Sequence, residues 1–192
     1  AAAIALKSGI SGYKWHDENA DGIWDAGEPP LSGWTIWVDY NSDGIPDATD
    51  VTDSNGFYEL YFTLPTQTAT AVRVYENLQT GWRQTYPAAG YNEATATPGY
   101  ATENINFGNT ERLVDKTVRK VWNDGDDQDR LRPTSVSVQL KANGTNVGSP
   151  VILNAGNSWT HTWTGLLEYS GGALINYTVV ESPVPTDYTV GY

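Results

Sequence analysis

The chain has 192 residues, enough for two ordinary domains that each bury a core, and it contains no Cys and no Met. Disulfide frameworks, thiolate metal sites and cysteine nucleophiles are thereby excluded. A formal net charge of −12 argues against nucleic acid and anionic membrane as partners, and no apolar run approaches the ~20 residues that a membrane-inserted helix needs.

Ala1 to Leu6 is a short apolar segment with no obvious place in the strand pattern that follows. It could pair with a neighbouring molecule's open sheet edge, although the plainer expectation is that the chain is a fragment of a longer repeat protein. From there, short runs of aromatic and β-branched residues alternate with polar ones, and Gly, Pro, Asn and Asp punctuate them about every ten residues. The expected strands of the first half are Ile10 to Trp15, Trp34 to Tyr40, Phe57 to Phe62, Ala71 to Glu76 and Asn104 to Phe107. Those of the second half are Thr117 to Trp122, Ser135 to Lys141, Ser158 to Thr164, Ile175 to Val180 and Tyr188 to Tyr192. No amphipathic helix stands out, and the regular spacing predicts an all-β chain of sandwich type. Up to Glu111 there are 15 acids against 4 bases, and after it 8 against 7. The polar stretch from Gly108 to Asp115 lies at this change in charge and is read as the boundary, giving domains over 1–110 and 111–192.

Nine of the first half's acids fall in two twelve-residue windows. Asp17, Asn19, Asp21, Gly22, Asp25 and Glu28 occupy positions 1, 3, 5, 6, 9 and 12 of an EF-hand-type loop, and Asp39, Asn41, Asp43, Gly44, Asp47 and Asp50 repeat them. Calcium takes six to eight oxygens at roughly 2.3–2.6 Å, which short side chains at alternate positions supply if a Gly allows the sharp turn. The backbone carbonyls of Ile23 and Ile45, at position 7, complete each ring. Calcium is therefore the expected cofactor, and magnesium is disfavoured because it keeps its waters. Asp50 is the weaker terminus, one methylene shorter than Glu28. The alternative is a pair of solvated acidic turns, since Asp, Asn and Gly favour turns on conformational grounds alone.

The first loop is followed by Pro29, Pro30 and the period-two run Trp34 to Val38, so the loops join strands and not helices. Together with Ile10-Ser-Gly-Tyr13, Leu31-Ser-Gly-Trp34, Thr52 to Tyr58 and Asn106-Phe-Gly-Asn109, this context resembles the B-repeats of serine-aspartate repeat adhesins of Gram-positive bacteria. The resemblance implies a calcium-binding β-sandwich that serves as a stiff spacer. Arg119 to Asp124, Asp127 to Asp129, Arg132-Pro133, Val136 to Leu140, Trp159 to Leu166 and Tyr177 to Glu181 resemble a collagen-adhesin B-type (Cna B) domain. That implies an immunoglobulin-like or prealbumin-like stalk domain, often carrying a Lys–Asn isopeptide bond assisted by an acid.

Strand parity places Lys120 on a face with Val118 and Trp122, and Glu181 on a face with Tyr177 and Val179. Burial would favour the neutral amine and the protonated acid that amide formation needs, while the bland alternative is a Lys120–Glu181 salt bridge. In the family the acceptor Asn stands on a strand after the Tyr188 to Tyr192 segment, and this sequence has none there. The Asp124 to Asp129 cluster fits no ligand spacing and is read as a polar loop. His16 and His161 lie in different modules with no paired Ser or Cys, so no nucleophilic triad and no enzyme is expected. Eight Trp fill sandwich cores or line an adhesive surface. The expected role is an extracellular, cell-surface or cell-wall-anchored stalk, whose partners are neighbouring domains of the same surface protein or fibre. The alternative is a module binding a host protein or glycan.

Overall fold

A computed structural model describes residues 4–192. The chain divides into two compact units, Ala1–Glu111 and Arg112–Tyr192. No α-helix occurs among the described residues, and each unit is a β-sandwich.

The first unit is built from β1 (Ser8–His16), β2 (Thr35–Asp39), β3 (Ala48–Val51), β4 (Phe57–Phe62), β5 (Thr70–Glu76), β6 (Trp82–Tyr86), β7 (Asn92–Ala96), β8 (Ala101–Thr102) and β9 (Phe107–Glu111). One sheet has the order β4-β1-β9-β6, with β8 also on β1, and the other has the order β3-β2-β5-β7. Alternate residues of both sheets turn inward, so that Ile10, Ile36, Val38, Tyr58, Leu60, Val72, Val74 and Phe107 form one core. The pairing of β1 with β9 is parallel and short, aligning Lys14 with Phe107, Trp15 with Gly108 and His16 with Asn109. Gly108 is required there because a Cβ would stand 2.4 Å from the Trp15 ring.

The second unit contains β10 (Leu113–Arg119), β11 (Ser135–Ala142), β12 (Thr145–Asn154), β13 (Thr160–Leu167), β14 (Tyr169–Ser170), β15 (Ala173–Leu174) and β16 (Tyr177–Glu181). β10 pairs with β13, β11 lies between β12 and β16, and β14 and β15 form a small hairpin. Val136, Val138 and Leu153 are buried at the centre, with Val118, Trp122, Trp159, Trp163 and Val179 packed around them.

Several expectations need correction. The division between the units falls within Gly108 to Asp115, at Glu111 and Arg112, but the stretch is not a gap between strands: β9 and β10 run through it, separated by Arg112 alone. β9 escapes a pattern search because its polar residues are buried between β1 and β6, Asn109 completely. β12 carries Gly148 and Pro150 and reads as loop, yet it is an edge strand with a register shift opposite Val138 and Leu140, where Pro is tolerated. Tyr188 to Tyr192 forms no strand. Leu6 does have a place: its N–H donates to Gln67 Oε1 at 2.7 Å, and the next carbonyl, of Lys7, accepts from Gly99 N–H. Ile4 and Ala5 are exposed and belong to no strand, and Ala1 to Ala3 lie outside the described residues.

Candidate functional site

The two acidic loops share one internal wiring. Position 1 accepts from the position 6 amide, as Asp17 Oδ2 does from Gly22 N–H at 2.7 Å and Asp39 Oδ2 from Gly44 N–H at 2.9 Å. Position 3 accepts from the position 5 amide, and the position 5 carboxylate accepts from the position 7 amide, in both loops. The fourth and sixth residues are left-handed in each, Ala20 and Ser42 with φ near 60° and Gly22 and Gly44 near 80°. The spacing therefore encodes the same fold of backbone twice. Ile23 and Ile45 turn their side chains to solvent, which leaves their backbone as the only source of oxygen.

Burial pushes the Asp17 carboxyl up, but the neighbouring Thr85 hydroxyl and the amides of Gly22, Asp21 and Ala20 outweigh it and hold it below its ordinary value. Asp39 is likewise raised by burial and brought lower by four loop amides. Both remain ionised at neutral pH.

The rims of the loops differ. In the first, the Asn19 amide donates to Asp21 and Asp25, each at 3.1 Å, drawing these carboxylates together. Glu28 folds over the loop, accepting from the amides of Glu18 and Asp25. In the second, Asn41 ties Asp43, and Asp47 closes the mouth by accepting from Tyr40 N–H. Asp50 is not brought to this group: it stands in β3 opposite Ile36, and its carboxylate accepts from Glu59 N–H of β4 at 2.8 Å. Among the described residues no three carboxylate or imidazole side chains converge to ligate one ion as they stand. The first loop fits calcium in its donor oxygens and turn geometry, with side chains that would exchange bonds to Asn19 and to loop amides for bonds to the ion. The second fits less well, lacking its twelfth position.

A second polar constellation lies inside the first unit's core, and the sequence reading missed it. Lys14 of β1 is fully buried; its Nζ donates to Asn109 Oδ1 of β9 and stands 2.5 Å from Glu76 Oε2 of β5. Asn109 Nδ2 donates to Glu76 Oε1 at 2.7 Å. Lys14 shares its face of β1 with Ile10, Asn109 shares one with Phe107, and Glu76 shares one with Val72 and Val74, so parity turns all three inward. Trp34 covers the amine with its ring centre 4.1 Å from Nζ, and Trp82 packs edge-on against Trp34. Burial pushes the Lys14 amine down to about 8, against the opposing pull of the Glu76 charge.

In the second unit, Lys120 and Glu181 meet as expected, Nζ to Oε2 at 2.8 Å, with both side chains mostly buried. Lys120 lies one residue past β10, although its N–H continues the ladder to Trp159 O. Glu181 Oε1 has no partner, and Lys120 makes no hydrogen bond to an asparagine among the described residues. An open groove beside the pair is lined by Val118, Val138, Leu153, Val179 and Tyr192. The Asp124 to Asp129 cluster is a closed loop: Arg132 grips Asp124 with two bonds of 2.6 and 2.8 Å, and Tyr188 adds a third.

The aromatics divide between core and surface. Trp15 and Trp34 are buried, whereas Trp37, Tyr75 and Tyr91 form a half-exposed row with Arg73 over Tyr91.

Residues 8–117 match the SdrD B-like domain and residues 116–192 the Cna protein B-type domain. The chain is 47% identical over 73 residues to the collagen adhesin of Staphylococcus aureus, covering 38% of this chain and 6% of that protein. It is 26% identical over 196 residues to serine-aspartate repeat-containing protein D of the same organism, covering 95% of this chain and 14% of that protein. The chain thus spans a small part of both relatives. The crystal structure of a single B repeat unit of the S. aureus collagen-binding surface protein is 26% identical, covering 97% of this chain and 90% of that one, with a TM-score of 0.40. The chain belongs to the SdrD B-like domain family through its first unit and carries a Cna protein B-type domain in its second.

Proposed function

We propose that this chain is a structural stalk or spacer segment of a cell-surface adhesin or fibre, with a first unit made rigid by calcium. The observation that carries the reading is the parallel pairing of β1 with β9, the first and last strands of the unit. Tension applied at the start of β1 and the end of β9 loads that ladder in shear, so its hydrogen bonds resist together and not one at a time. The relative named a collagen adhesin supports the cell-surface location, with neighbouring domains of the same protein as partners. Calcium would supply a positive centre that offsets carboxylate repulsion; Asp17, Asn19, Asp21, Asp25, Glu28 and the Ile23 carbonyl would hold it in the first loop. Asp39, Asn41, Asp43, Asp47 and the Ile45 carbonyl would do so in the second. Single-molecule extension of the chain tests this. The first unit should unfold at a higher force in calcium than in chelator, and equal forces reject the calcium part of the reading.

The isopeptide role of Lys120 and Glu181 is part of the same proposal. It requires an acceptor Asn delivered on a further strand, for which the groove beside the pair has room. A chain extended by such a strand should lose one ammonia in a Lys120-dependent way, and an unchanged mass on folding leaves the salt bridge as the pair's role. A second reading, adhesion to a glycan or host protein, is favoured by the Trp37, Tyr75 and Tyr91 row. Glycan-array binding abolished by Trp37→Ala would support it, and binding unchanged by that substitution would reject it.

A further inference from the structure

Neither the calcium loops nor the second unit uses the buried Lys14, Glu76 and Asn109 cluster. We propose that these three residues form an intramolecular amide bond between Lys14 Nζ and Asn109 Cγ, with release of one ammonia and with Glu76 as the proton carrier. The cross-link would join β1 to β9 within the first unit, independently of calcium.

The geometry supplies each requirement of the step. The amine touches Asn109 Oδ1, so the amide carbon lies only one C=O bond length, about 1.2 Å, beyond that contact. Two fixed strands hold the reactants in register: Lys14 aligns with Phe107, and Asn109 is the next residue on the same face. Glu76 arrives from the opposite sheet with one oxygen on the nucleophile and the other on the leaving group. The Nζ–Oε2 contact is an ion pair off the hydrogen-bonding direction, and Glu76 Oε2 has no other partner, which leaves that oxygen free to take a proton. Trp34 and Trp82 cover the site, so the amine loses its hydration, and the form that burial favours is the neutral nucleophile.

The atoms balance without any co-reactant. Lys14 passes one proton to Glu76, and its lone pair attacks Asn109 Cγ, placing charge on Oδ1. As the tetrahedral centre collapses, the Cγ–Nδ2 bond breaks, and Nδ2 takes the second Nζ proton by way of the carboxyl to leave as ammonia. A secondary amide remains beside a protonated Glu76. A static ion pair would need only the lysine and the glutamate; the amide between them, bonded to both, is what a cross-link needs in addition.

Intact-mass measurement of the folded, purified chain should give a value one ammonia below the sequence mass. Proteolysis and fragment sequencing should then join the Lys14 peptide to the Asn109 peptide. Succinimide formation at Asn55-Gly56 or Asn143-Gly144 would lose the same ammonia, and the peptide map separates the two. Glu76→Gln, which preserves shape, and Lys14→Met should both show the full sequence mass. A folded wild type at full mass, a loss that persists in Lys14→Met, or a loss mapped to an Asn–Gly succinimide overturns the proposal. Survival of the joined peptides in Glu76→Gln overturns the role of Glu76. Should both variants fail to fold, the wild-type peptide map decides alone.

Discussion

Replacing Lys14, Glu76 and Asn109 together by Met, Leu and Leu isolates what a covalent link contributes. Apolar replacement of a complete buried polar set is usually neutral or stabilising, because no charge is left without a partner, so a loss of stability reports the missing bond. The link would close a loop across a sequence separation of 95 residues, for which the loop-closure argument used for disulfides gives about 4.7 kcal/mol at 25 °C. For a unit of this size, about 4 °C of melting temperature accompanies each kcal/mol, so the transition of the first unit should fall by about 20 °C. Calorimetry of the full chain resolves the two units, and the second unit's transition serves as an internal control. Repacking shifts of about 1–3 kcal/mol set the margin. A fall under about 5 °C, or a rise, would refute the loop-closure reasoning even where mass spectrometry finds the bond.

The remaining predictions concern charge. Calcium at a hundredfold excess over its dissociation constant should stabilise the first unit by about 2.7 kcal/mol per occupied loop. Asp21→Ala should remove the first loop's share, whereas Asp50→Ala should leave the calcium titration unchanged because that carboxylate serves Glu59; melting that is identical with and without chelator would refute both. Asp124 is held well below the usual carboxylate range, first by its hydrogen bonds from Arg132. A depressed folded value means that its stabilisation is present above the ordinary 3.8 and is lost as pH falls below it, so Asp124→Asn should lower the second unit's melting point at pH 7 and narrow the gap from wild type toward pH 2. A gap that stays constant with pH contradicts the linkage. Lys120→Met alone should cost about 3–5 kcal/mol by stranding Glu181, and Lys120→Met/Glu181→Leu should recover most of it. Additive losses across that double-mutant cycle would show that the pair is not coupled.

The acidic loops were legible because their wiring is local: the hydrogen bonds close within twelve residues, and the spacing of Asp17 to Glu28 alone specifies which amides meet which side-chain oxygens. The exception, Asp50, has the same explanation in reverse. Its window ran past the turn into a strand, and the pairing of Ala48 with Val38 fixed β3 in the sheet and carried Asp50 away from the loop. The second unit's Lys120 and Glu181 were also found, since strand parity placed each on an apolar face and a resemblance brought them together.

The Lys14, Glu76 and Asn109 cluster contains the same chemistry and was missed for two physical reasons. Parity within the expected strands puts Lys14 on a face with Ile10 and Glu76 on one with Val74, a reading the sequence analysis did not draw, and Asn109 fell in the boundary stretch because β9 is polar and shows no alternation. Its burial comes from its neighbours β1 and β6 and not from its own composition. The second reason is the parallel meeting of the first strand with the last, which nothing within either segment announces. A polar residue turned inward on a strand is therefore an unfinished observation until its cross-sheet partners are known. In this unit those partners change Lys14 from a costly buried charge into a nucleophile facing an amide across the one short ladder that tension would load.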